Sequence, residues 1–290
     1  VAFVQLKVLM SCPPRRLQEE RSKMAQTIVL PFSVEAFNQV SDYFDVRKYG
    51  DRDKKLYDML ETVNAFGSLF CEHNMETIAG LSLSHRHFDL KEGELKVAIQ
   101  ESDQLLRIKA TPTHAIPAGA KVLPYLFQPI KDDDGVVRLV PLEYVIHKDP
   151  KHIKALEREI KAICDPAFLH NFWNLGESQG VQGLYGIFLQ SRHFLRYSSK
   201  KEGTVEGTGD GDRSLEVKVV PKTKILEEPD TTTVGWSFRK DGETGRVIPV
   251  SACSSLGHGN PDEEDDTLAC SVCPHCSHPI CHPHRSCLSH

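Results

Sequence analysis

The chain has 290 residues, 40% hydrophobic and 26% charged, with a formal net charge of -5 at pH 7. That length suffices for a sizeable core. The negative balance excludes a broad phosphate-neutralising surface, so no nucleic-acid partner is expected, and no apolar run reaches the roughly 20 residues that span a bilayer, so no membrane association is expected.

The first ten residues, VAFVQLKVLM, are apolar, but no basic segment precedes them and SCPPRR follows. That is not the pattern of a secretory leader. Met24, opening MAQTIVLPF, reads as a natural start, so residues 1–23 are expected to be a disordered or non-native segment. The 9 cysteines form an odd set. Without a secretory leader they predict reduced thiols and a cytoplasmic protein.

Ser33 caps a predicted short helix reaching Phe44, with Val34, Phe37 and Val40 near helical spacing. A longer helix is predicted from Asp53 to Phe70, its apolar face made by Leu56, Met59, Leu60, Val63, Phe66 and Phe70. The period then changes to two. Residues 78–100 read as a β-hairpin, with His85 and His87 on one face of its first strand and LKVAIQ as its second.

LLRIKA, AKVLPYLFQ and VVRLV follow as strands, the last two joined by the turn KDDDG. Asp149 and Pro150 open a helix with Ile153, Leu156, Ile160 and Ile163 inward and a Glu157–Lys161 pair outward. Asp165 and Pro166 open another, burying Phe168, Leu169, Phe172 and Trp173 and stopping at Gly176. GLYGIFLQSRHFL is then a strand, KKEGTVEGTGDGDRS a mobile Gly-rich loop, and LEVKVV, TTTVGWSFRK and RVIPV further strands.

These elements predict an α+β fold with an antiparallel β-sheet core and packed helices. It forms a single domain over residues 24–253. Residues 254–290 are an acidic linker and a disordered Cys/His-rich tail.

Two stretches resemble each other. Arg86-His87-Phe88 is followed by Lys91-Glu92-Gly93 and LKVAIQ; Arg192-His193-Phe194 is followed by Lys201-Glu202-Gly203 and LEVKVV. A helical region precedes each. The pattern predicts two pseudo-repeated helix-plus-hairpin units, in which His87 and His193 correspond while Ser191 stands opposite His85. Two unrelated hairpins with chance identity are the alternative.

Two groups of residues carry metal chemistry. In the tail, five cysteines and five histidines fall in CSVCPHCSHPICHPHRSCLSH, and Cys270, Cys273 and Cys276 stand at a chelating spacing, with His278, Cys281 and His282 close behind. Thiolate and imidazole are the ligands zinc prefers. The spacing fits no standard finger, which needs about a dozen residues between its ligand pairs. The second group is His85 and His87, with His193 as a third imidazole if the repeated strands lie side by side.

Gly80, His85, His87 and Glu92, with Pro117 and Gly119 later, resemble the two motifs of the cupin family. Val122 stands where a later metal-binding histidine belongs. The resemblance implies a double-stranded β-helix and a divalent metal on His85 and His87. The same strand also resembles uncharacterised fungal hypothetical proteins, which imply no activity.

The leading expectation is a non-enzymatic binding or interaction protein, its partner a protein, with zinc affinity in the tail. On that reading His85, His87 and His193 are separately hydrogen-bonded structural groups. The alternative is a cupin-like metal-dependent enzyme using His85 and His87.

Overall fold

The computed structural model of the chain describes residues 28–40, 53–192, 195, 201–208, 213–227, 231–241 and 247–256. The leader 1–23, His193 and the tail ligands Cys270, Cys273, Cys276, His278, Cys281 and His282 lie outside them.

Helix α1 (Val34–Asn38) starts where the Ser33 side chain accepts from the Ala36 amide, and it buries Phe37. Helix α2 (Asp53–Glu72) buries Val63, Phe66 and Phe70, but Leu60, expected on that face, is 41% exposed. Helices α3 (Pro150–Ile163) and α4 (Pro166–Ser178) begin as their sequences dictate. Asp149 and Asp165 accept from the amides of Lys151 and Ala167, and a proline occupies each first turn. Glu157 reaches Lys121 on a neighbouring strand, not Lys161.

Helix α4 runs past Gly176, because a residue in the left-handed conformation, not a glycine alone, ends a helix. Gly180 (φ +67°) supplies it, with Val181 N–H donating to the Gly176 carbonyl and Gly180 N–H to that of Glu177. Helix α2 ends in the same way at Asn74 (φ 55°), where the Met75 and Asn74 amides donate to the carbonyls of Phe70 and Cys71.

The strands are β1 (Ala79–Leu83), β2 (Glu94–Ser102), β3 (Leu105–Pro112), β4 (Lys121–Lys131), β5 (Val137–His147), β6 (Tyr185–Leu189), β7 (Glu202–Thr208), β8 (Ser214–Pro221), β9 (Thr231–Lys240) and β10 (Val247–Leu256), with a short helix α5 (Lys222–Glu227) between β8 and β9. They close into a barrel in the order β1-β6-β4-β5-β2-β3-β8-β7-β10-β9. The class is α+β, but the sheet is mixed: β2 pairs parallel with β5, and β7 with β10.

The hairpin expected over residues 78–100 is absent. Strand β1 stops at Leu83 and pairs antiparallel with β6 and β9, whereas β2 turns back into β3. A strand with partners on both sides in a closed barrel has no edge left for its sequence neighbour. The supposed loop after Lys201 holds β7, so the counterpart of LKVAIQ in chain order is EGTVEGT rather than LEVKVV, which is β8.

Replacing each of β1–β5 by its counterpart in β6–β10, and the reverse, returns the same cyclic order. Leu81 faces Ile187 at the centre of the β1–β6 pair. The same number of positions separates Asn74 from Gly180, Gly80 from Gly186 and Arg86 from Arg192. Packing follows suit. Helix α2 lies on β9 and β10, and α4 lies on β4 and β5. Between them Phe66, Phe70, Phe168, Phe172 and Phe238 build an aromatic cluster, with Phe66 and Phe172 centroids 4.6 Å apart.

Both glycines near the barrel closure are sterically required. A Cβ on Gly80 would lie 2.6 Å from the Trp236 carbonyl, and one on Gly186 2.6 Å from that of Phe127. Strand β10 continues to Leu256, beyond the expected boundary at residue 253. Among the described residues no helix is long and apolar enough to cross a membrane.

Candidate metal centre

The barrel holds a half-open pocket whose walls come from most of its strands. Leu83 of β1, Leu106 and Ile108 of β3, Phe188 of β6, Val217 of β8 and Val234 of β9 supply an apolar lining. The polar groups are His85, Tyr125, Glu143, Arg192 and Glu206.

His85 and His87 do not sit on β1 but in the irregular segment after it. That segment crosses into the barrel and turns both rings to one point. The His85 Nδ1–H donates to the Leu83 carbonyl at 2.8 Å. This fixes the tautomer and leaves a lone pair on Nε2. His85 Nε2 lies 3.0 Å from His87 Nε2, which lies 3.2 Å from Glu206 Oε1 on β7. The three ligand atoms all fall within 4.8 Å of one another.

A tetrahedral ion with ligands at about 2.0–2.1 Å has ligand–ligand edges of roughly 3.3–3.4 Å. The two short distances are slightly shorter than such edges, and with small shifts of the rings His85, His87 and Glu206 could hold a metal ion. The surroundings of His85 suit a ligand. Burial lowers the His85 pKa to about 4, keeping the imidazole neutral as a ligand must be. Burial alone would raise Glu206, but His87, His85 and Lys96 together hold its carboxyl below the usual range, so it is ionised.

A second polar group lies beside the first. Tyr125 is the unpaired residue of a bulge in β4, where the register with β5 shifts on either side of Leu126. Bulges re-aim side chains; this one lets the Tyr125 hydroxyl donate to Glu143, which also pairs with the buried ammonium of Lys96. Burial first, then the neighbouring Glu143, pushes the Tyr125 hydroxyl well above its usual pKa, so it stays a donor. Arg192 follows β6 in a short 3-10 turn and lays its guanidinium over the Phe188 ring at 3.7 Å.

The structure thus brings His85 and His87 to a shared point, rather than leaving them on separate hydrogen bonds. Their carboxylate partner is Glu206. Glu92, the counterpart in the cupin-like motif, is exposed at the turn before β2. Glu206 escapes sequence reading because its segment looks like a Gly-rich loop. The one signal is the short alternation of Thr204 and Glu206 with Gly203, Val205 and Gly207. The thiol of Cys164 is buried and pushed up to about 12, and that of Cys71 is also raised, mainly by burial; neither is a reactive nucleophile. Searches with family models, curated proteins and solved structures gave no match to this chain.

Proposed function

We propose that this protein is a metal-dependent enzyme acting on a small molecule inside the barrel. The ion is of the zinc or ferrous class, held by His85, His87 and Glu206. The observation that supports this reading is the convergence of His85 Nε2, His87 Nε2 and Glu206 Oε1 at a pocket lined by the barrel strands. Two imidazoles and one carboxylate leave coordination positions open, the pattern of catalytic rather than structural sites. Bound there, the ion would supply a Lewis acid facing the pocket. The chain's own residues fix the His85 tautomer and exclude bulk water with the apolar lining.

The tail is a second metal-binding element in this reading, its motivation the Cys270-Cys273-Cys276 spacing; zinc affinity there would suit an interaction protein. The two readings separate in one measurement. Full-length chain carrying Cys270→Ser, Cys273→Ser, Cys276→Ser, Cys281→Ser and Cys287→Ser should retain about one zinc or iron per chain by elemental mass spectrometry. Adding His85→Ala should bring that to background. A folded chain that holds no metal once the tail thiols are gone would sink the barrel reading in favour of the tail.

We also infer that the two halves arose by internal duplication. The support is the unchanged strand order on exchange and the matching helix ends at Asn74 and Gly180. On this reading the metal centre is asymmetric, since Ser191 stands where His85 does and is bonded instead to Glu159.

A further inference from the structure

The charges around the pocket do not cancel once an ion is placed on the three ligands. This inference therefore rests on the metal-centre reading above and extends it to the ligand. Lys96 and Glu143 form a pair of their own, deep in the wall. As ligands, the Glu206 carboxylate offsets one of the ion's two positive charges and the two imidazoles offset none. One positive charge then remains at the metal. A second stands at Arg192, which lies over the Phe188 ring and donates to the Leu189 carbonyl at 3.4 Å; the carboxylate it feels, Glu159, accepts from the Ser191 amide and hydroxyl. The pocket that both line also has hydrocarbon in its wall, from Leu106, Ile108 and Val217.

Uncompensated positive charge beside apolar wall is costly, and a bound anion relieves it. Where the charge sits decides which anion. A single phosphate would put about two negative charges at one place. Here the two positive charges belong to separate groups, the ion on its ligands and the Arg192 guanidinium, that line one pocket. A guanidinium also presents a planar fork that matches one carboxylate in two parallel hydrogen bonds, and stacking on Phe188 holds that plane fixed.

We propose that the pocket binds a small organic dicarboxylate, one carboxylate on the open face of the metal and the other forked on Arg192, with its short hydrocarbon spacer against Leu106, Ile108 and Val217. Arg192 is then a specificity-determining residue. It selects an acid with a second carboxylate over the monoacid.

The test uses the full-length chain with the five tail cysteines replaced by serine, loaded with cobalt(II) as the probe metal, whose visible absorption reports a change of ligand. Metal content is measured first for each preparation. Malonate, succinate, acetate and inorganic phosphate are then titrated separately. The expected result is that malonate or succinate shifts the spectrum at least tenfold more tightly than acetate or phosphate. Arg192→Gln should abolish that preference while leaving one cobalt per chain. Arg192→Lys, which keeps the charge but not the fork, should weaken it in part and decides the matter if the glutamine variant does not fold. A loaded protein that binds both dicarboxylates no better than acetate, that prefers phosphate, or whose preference survives the loss of Arg192 overturns the inference and leaves the metal centre standing. Failure to take up cobalt at all overturns the metal centre itself.

Discussion

His87 Nε2 faces both His85 Nε2 and Glu206 Oε1, and one ring nitrogen carries either a single proton or a single lone pair. A proton there would be shared between two acceptors; a cation at the same point satisfies all three groups. Glu206→Gln keeps the shape and removes the charge, so metal affinity should fall at least about 100-fold, since even partners one shell further out cost 10–100-fold. Equilibrium dialysis checks it, and an unchanged affinity would remove Glu206 from the ligand set. The two histidines were legible because they stand two apart next to a strand. Glu206 was not, because its place opposite them is set by barrel closure, which no local pattern encodes. Arg192 was visible only as part of a repeated tripeptide.

A different carboxylate contributes to acid stability. Glu94 accepts from both arms of Arg213 at 2.5 and 2.7 Å, and this pairing lowers its pKa from 4.5 to about 2. A group depressed in the folded state adds stability above its unfolded pKa and loses it as pH falls through the folded one. The contribution should fade between about pH 4.5 and 2. Glu94→Gln should cost on the order of 2 kcal/mol at pH 6 and little at pH 2. Urea unfolding at the two pH values reads the difference, and equal costs at both would show that the pair adds nothing.

At the scale of elements, the helices were the most legible part. Asp149-Pro150 and Asp165-Pro166 announce their own starts, and the faces of α4 and of α2 from Leu60 onward follow from spacing, apart from Leu60 itself and the half-buried Trp173; the side chains of Leu56 and Met59 lie outside the described ones. All the strands but β7 were found, but not the long-range pairings, because this barrel joins β1 to β6 across more than a third of the chain. The aromatic cluster between α2 and α4 gives the next prediction. Phe172 is 4% exposed, so Phe172→Ala should cost about 3–5 kcal/mol, and Trp173→Ala distinctly less. Gly186→Ala forces a Cβ against the Phe127 carbonyl and should cost about 1–3 kcal/mol through backbone displacement. Thermal unfolding ranks all three; a Trp173 variant as damaging as the Phe172 one would contradict the packing order.

For the whole molecule, closure links the C-terminal strand to the metal centre. Strand β10 lies between β9 and β7, and its last residues pair as Ser254↔Thr233, Ser255↔Thr232 and Leu256↔Thr231 on one side and as Ser254↔Val205 and Ser255↔Glu206 on the other. The ladder therefore reaches the backbone of the residue that contributes the carboxylate. A chain ending at residue 253, the boundary suggested by composition, cuts off these pairings, while one ending at Leu256 keeps them. The shorter chain should melt several degrees lower, because unpaired backbone in β7 and β9 loses partners it cannot regain inside the sheet. It should also hold the metal more weakly, because Glu206 is then fixed from the β8 side alone. Melting curves of the two truncations with and without added zinc separate these effects. If both chains melt together and bind zinc equally, the parallel β7–β10 pairing does not position the carboxylate, and the link between barrel closure and the metal centre fails.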